Sequence, residues 1–193
     1  FETITVLNTG AGSDHVTVSL TEGVDGLFAV HLGFGDDQFD ASNSSFGLIV
    51  FGDEGNDRIT GGDGGDILFG DHGEVGFVNG NGEVVTRLGQ PILAQHETDG
   101  VSRGARFILS VDAINGGNDI IDGRGGNDAL IGGAGGDEIH GGANDDWIAG
   151  DNGQLDFVPI SGNDGATRIA LIATLAATQG GADSIYGDGG SDV

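Results

Sequence analysis

Aspartates recur in this chain at a spacing suited to holding cations. Asp57 and Asp66 lie nine residues apart, Asp119, Asp128, Asp137 and Asp146 continue that step in one run, and Asp183 and Asp192 repeat it near the end. Each ends a glycine-rich stretch: "GDEGND" and "GGDGGD", then "NGGND", "GRGGND", "GGAGGD" and "GGANDD", then "GGAD" and "GDGGSD". Carboxylates and peptide carbonyls are the ligands of a hard divalent cation, calcium foremost, which takes six to eight oxygens at roughly 2.3 to 2.6 Å. Glycine adopts positive φ freely and so turns carbonyls inward, while the aspartate adds charge at the exit of the turn.

Two residues after these aspartates stands an aliphatic residue: Ile59, Leu68, Ile121, Leu130, Ile139, Ile148 and Ile185. The unit is therefore a glycine-rich turn, an aspartate and a three-residue strand with one inward side chain. Two units make a coil of 18 residues with a turn on each side, so turns two units apart stack at about the 4.8 Å strand spacing. Stacked carboxylates about 5 Å apart repel by about 0.8 kcal/mol in water and about 3 kcal/mol at an effective dielectric of 20. Over a column that rivals the roughly 5 to 15 kcal/mol holding a whole domain together. Cations between the turns convert repulsion into attraction, and their binding free energy becomes folding free energy. A flexible acidic linker would show neither the fixed spacing nor the aliphatic column.

The pattern resembles the glycine- and aspartate-rich nonapeptide of RTX (haemolysin-type) proteins, G-G-x-G-x-D-x-U-x with U aliphatic. The resemblance implies an all-β, calcium-binding parallel β-roll, or β-solenoid, with several Ca2+ ions in its turns. It runs in tandem over residues 52–69 and 114–149 and resumes at 179–193, where the chain breaks off inside a repeat and reads as a fragment of a larger protein. It also implies export in an unfolded state by type I secretion and folding outside the cell, where calcium is plentiful.

Residues 1–51 are less regular but carry the same turn at longer intervals, "GAGSD" ending at Asp14 and "GFGDD" ending at Asp37. "TITVL", "HVTVSL", "LFAVHL" and "GLIVF" read as strands. This is an irregular solenoid start with calcium turns on one side, the alternative being a small antiparallel sheet beside the roll. The candidate metal ligands are thus Asp14, Asp37, Asp57, Asp66, Asp119, Asp128, Asp137, Asp146, Asp183 and Asp192.

Residues 70–113 and 150–178 interrupt the repeats and resemble each other. Each opens with Gly-Asp-x-Gly, carries a phenylalanine (Phe77, Phe157) and a Thr-Arg pair (Arg87, Arg168), and returns through an aliphatic stretch. They read as one β-hairpin-like module used twice, the first turning at "NGNG" and extended by an exposed loop, "GQPILAQHETDGVSRG". Asp71 and Asp151, where the chain departs, are equally suited to binding calcium or capping a strand edge. Arg87 and Arg168 would pair with carboxylates of the acidic column or contact an anionic partner.

The net charge of -25, from six arginines and 31 carboxylates with no lysine, argues against nucleic acid and anionic membranes as partners. There is no cysteine, so disulfides and thiolate metal sites are excluded. No H-E-x-x-H and no G-x-S-x-G accompany the five histidines, and carboxylates are too numerous to single out a glycosidase pair. Trp147 and Tyr186 flank inward aliphatics and read as packing over the roll or contacting a neighbouring chain. An ice-binding face would need outward threonine ladders, and Arg58, Ala129, Glu138 and Trp147 stand there instead. The chain reads as a non-catalytic, extracellular structural segment of a large bacterial protein such as an adhesin, matrix fibre or surface layer. The alternative is the calcium-binding accessory of a secreted enzyme or toxin. Beyond calcium, its ends would meet copies of itself, as in a filament, or flanking solenoid of the same chain.

Overall fold

A computed structural model describes residues 4–21, 26–78, 83–89, 105–112, 114–159, 167–175 and 180–193. The chain first zigzags through β1 (Ile4–Asn8), β2 (His15–Thr17), β3 (Leu27–Phe34), β4 (Gln38–Asp40), β5 (Ile49–Glu54), β6 (Arg58–Thr60) and β7 (Ile67–Phe69). It then leaves through β8 (Gly73–Val78), β9 (Val84–Gly89) and β10 (Ala105–Ser110). It returns through β11 (Ile120–Asp122), β12 (Ala129–Gly133), β13 (Glu138–Ala143) and β14 (Trp147–Asp151), leaves again through β15 (Gly153–Pro159) and β16 (Thr167–Thr174), and comes back as β17 (Ser184–Gly189).

The zigzag builds two parallel six-stranded sheets, β1-β3-β5-β7-β12-β14 and β2-β4-β6-β11-β13-β17. This is the parallel β-roll expected from the repeats, and the first coils belong to it: β1 to β4 pair in parallel with the strands that follow, so among the described residues no separate antiparallel sheet stands there. The repeat fixes the register. Phe39, Ile59, Ile121, Ile139 and Ile185 align across one sheet, and Val30, Val50, Leu68, Leu130 and Ile148 across the other. The two columns face each other and make the interior, except at Ile185, which ends its column half-exposed. In strands of three residues only the central side chain points inward, which is why each unit needs just one aliphatic, worth about 1.5 to 3 kcal/mol when buried.

The two insertions do not stand apart. They join in one five-stranded antiparallel sheet, β9-β8-β10-β15-β16, in which β10 of the first pairs with β15 of the second through Ile108 opposite Leu155. Ser110 fastens the joint: its hydroxyl accepts the Gly153 N–H at 2.8 Å and donates to the Gly153 carbonyl at 3.1 Å. This sheet covers the outer face of the first parallel sheet. Phe51, Phe69, Ile131 and Trp147 from below pack with Val75, Leu88, Ile108 and Leu155 from above, with Phe51 and Phe69 stacked at 5.0 Å. Trp147 is therefore buried between sheets. Tyr186, on the second parallel sheet, is half-exposed and stacks on His140.

Candidate metal centre: two ladders of aspartates

The coil brings the candidate ligands together on two sides. On one side Asp14, Asp37, Asp57, Asp119, Asp137 and Asp183 form a ladder in which each backbone N–H donates to Oδ1 of the next aspartate, at 2.6 to 3.0 Å. On the other, Asp66, Asp128, Asp146 and Asp192 are joined in the same way at 2.7 to 3.1 Å. Leu48 begins the second ladder by donating to Asp66 Oδ1 at 2.8 Å. One coil earlier a hydroxyl stands in for the carboxylate: Ser44 Oγ accepts the Leu20 N–H at 3.0 Å and donates to the Val18 carbonyl. The turns of residues 1–51 thus carry aspartates on one side only, as their spacing predicts.

The ladder uses one oxygen of each carboxylate. Oδ2 of Asp14, Asp37, Asp57, Asp119, Asp128, Asp137 and Asp146 is buried with no hydrogen-bond partner. A buried unpaired carboxylate oxygen is costly and is ordinarily paired or bound to a metal. Burial pushes the carboxyls of Asp57 and Asp137 up to about 7, Asp128 to about 8 and Asp119 to about 9, against the N–H bonds that pull them down. Burial likewise raises Asp37 and Asp146. Asp66 differs, because its Oδ2 accepts the Gly62 N–H at 2.8 Å; burial still lifts it to about 6.

The first glycine of each unit makes room for these oxygens. A Cβ on Gly132 would lie 2.2 Å from both Asp137 Oδ2 and the Gly150 carbonyl oxygen, and one on Gly123 would lie 2.5 Å from Asp128 Oδ2 and the Gly141 carbonyl. Carboxylate and carbonyl oxygens converge where a side chain is missing. Further along the turn Gly135 has φ +119°, a left-handed conformation costly for other residues. Among the described residues no three His, Asp or Glu side chains gather around one point. A cation here would draw on peptide carbonyls as well as carboxylates, and such an all-oxygen donor set fits calcium.

The insertions leave this geometry intact. Gly70 meets Asp119 Oδ2, and Gly150 meets Asp183 Oδ2, as Gly132 meets Asp137 inside an uninterrupted unit. Each insertion is spliced into a single turn. Asp71, which the sequence leaves open between ligand and cap, is committed to the backbone: Oδ1 accepts the Gly117 N–H and Oδ2 the Ala134 N–H, while burial pushes its carboxyl to about 8. Asp151 keeps a buried, unpartnered Oδ1, and burial raises it too.

The sequence reading overlooks a second, outer ladder. Asn118 N–H donates to Asn56 Oδ1 and Gly136 N–H to Asn118 Oδ1, with Asp36 bonding Asn56 in the same way. Asn127 and Asp145 serve the other side. The signal was present as the recurring Asn-Asp of "GND". Arg87 pairs with Glu74 on the neighbouring strand and lies over Phe107, outside both acidic ladders. The Arg168 side chain, the "NGNG" turn and His96 lie outside the described residues.

The RTX calcium-binding nonapeptide repeat matches this chain in four copies, at residues 49–74, 115–139, 122–154 and 177–193. No curated protein matches the chain significantly. Turns of this geometry, strung on a parallel roll and matching that repeat, leave one assignment: these blocks are RTX calcium-binding nonapeptide repeats, and the chain binds several calcium ions.

Proposed function

We propose that the ten laddered aspartates ligate calcium and that the chain is a non-catalytic structural segment, an extracellular β-solenoid that folds when calcium arrives. The observation that carries this is the set of buried aspartate Oδ2 atoms without partners, aligned along the two ladders. In a cell, where calcium is scarce, stacked carboxylates oppose the roll and keep the chain extended for export by a type I machine. Outside, millimolar calcium lies in the range that extracellular modules use. A rigid rod of stacked coils suits a spacer in an adhesin, matrix fibre or surface layer, because its length scales with the number of repeats. Calcium titration followed by circular dichroism tests the proposal: chelated protein should be largely disordered and become β-rich as calcium rises. A fully β-rich spectrum in excess chelator at neutral pH would refute it.

A further inference from the structure

Beside the turns that end at Asp14, Asp37 and Asp57, two imidazoles line one cavity, of about 350 Å³, between the first coils and the turn where the first insertion departs. We propose that this cavity binds one divalent transition-metal ion, of the zinc, nickel or copper(II) class, through His31 and His72.

His31 is held ready. Its ring stacks on Phe51 at 4.5 Å, and its Nδ1 lies 3.0 Å from Asp53 Oδ2. An Nδ1–H donated to that carboxylate leaves the Nε2 lone pair free, the second-shell arrangement found behind metal-ligating histidines. Asp53 reaches it from a left-handed conformation, φ 71°, that only a few non-glycine residues here adopt. His72 is 7% exposed, and its Nδ1 is buried without a hydrogen-bond partner. Asp53, Glu54 and Asn8 also line the cavity, and among the described residues that line it there is no arginine, so its potential favours a cation.

Imidazole nitrogen selects transition metals over calcium, which prefers the all-oxygen turns. The ion would keep water at its remaining positions, since among the described residues no three His, Asp or Glu side chains converge. His140 supplies an internal contrast. It stacks on Tyr186 and sets Nδ1 3.2 Å from Asp188 Oδ2, as His31 does with Phe51 and Asp53, but its Nε2 is taken by Glu138 Oε1 at 3.3 Å. It has no free nitrogen to offer.

The test uses the calcium-saturated chain with copper(II) as probe, read by electron paramagnetic resonance, and with zinc in a chromophoric chelator competition. Wild type should bind about one equivalent tightly, with nitrogen hyperfine coupling from imidazole. His31→Gln and His72→Gln should each weaken binding by about tenfold or more, Asp53→Asn by about tenfold, and His140→Gln should leave it unchanged. Calcium-induced circular dichroism verifies that each variant folds, and the wild-type spectrum stands without any variant. Absence of nitrogen coupling in wild type, or unchanged affinity in the His31→Gln/His72→Gln double variant, would overturn the proposal. Because calcium is saturating throughout, that result bears on this cavity and not on the aspartate turns.

Discussion

Asp137→Asn should stabilise the roll without calcium and weaken it with calcium. The substitution keeps Oδ1 as acceptor for the Asp119 N–H and replaces the charged, unpartnered Oδ2 by a neutral amide nitrogen. Burial lifts the Asp137 carboxyl from 3.8 to about 7. A carboxyl raised on folding contributes stability that is whole below its unfolded value and lost as pH rises through the folded one. At about pH 8 the ionised Asp137 has therefore cost the calcium-free roll on the order of 4 kcal/mol, at about 1.4 kcal/mol per pH unit. The asparagine avoids that cost but buries an NH2 without an acceptor, at about 1 to 3 kcal/mol. The net gain is about 1 to 3 kcal/mol at pH 8 and close to zero at pH 5, where wild type has lost only about 2 kcal/mol. In calcium the sign reverses, since an ion loses a charged ligand, and the calcium midpoint should rise about tenfold or more, at least 1.4 kcal/mol. Urea unfolding in chelator, with an osmolyte holding both proteins folded, and calcium titration of the folding signal give the two halves. Asp137→Asn unfolding more readily than wild type in chelator at pH 8, or folding at the same calcium midpoint, would refute the assignment.

Gly132→Ala should abolish folding at calcium levels that fold wild type, because its Cβ would sit 2.2 Å from two oxygens of the turn, as a calcium titration by circular dichroism will read. Asp71→Asn should leave calcium stoichiometry unchanged while lowering stability, because Asp71 stands outside both ladders and its oxygens serve the Gly117 and Ala134 N–H groups; isothermal titration separates it from Asp119→Asn, which should lose calcium.

The roll was legible because its information is local and repeated. One aspartate and one aliphatic per nine residues specify turn, strand and inward face together, so Asp128, Asp137 and Asp146 announce their ladders before any contact is known. Even Asp14 and Asp37 could be placed, since a full coil returns the turn to the same side whatever the opposite turn does. What stayed hidden depends on neighbours distant in sequence. Asp71 looks like Asp137 in composition, and only the stack shows that it stands outside both ladders, with its oxygens on the amides of Gly117 and Ala134. Trp147 occupies an outward position in its repeat, where it reads as packing over the roll or meeting a neighbouring chain; what buries it is the return of the insertions over it.

That return is a matter of matched spacing. Both insertions leave at the ends of strands in the same parallel sheet, the first from β7 and the second from β14, and both re-enter beside the longer ladder at Asp119 and Asp183. β7 and β14 are separated by one strand, β12, so their ends lie about 10 Å apart at about 4.8 Å per step. The strands that depart from them, β8 and β15, are likewise separated by one strand in the covering sheet, and that strand is β10, the returning arm of the first insertion. The longer insertion carries the strand that fills the gap standing over β12. Two hairpins alone would have faced each other across an empty strand position, with unpaired N–H and C=O groups on both edges. The two coils between the insertions and the extra strand in the first are therefore one design constraint, set by the shared spacing of hydrogen-bonded strands. It joins a roll edged with calcium-binding turns to a sheet held by apolar contact.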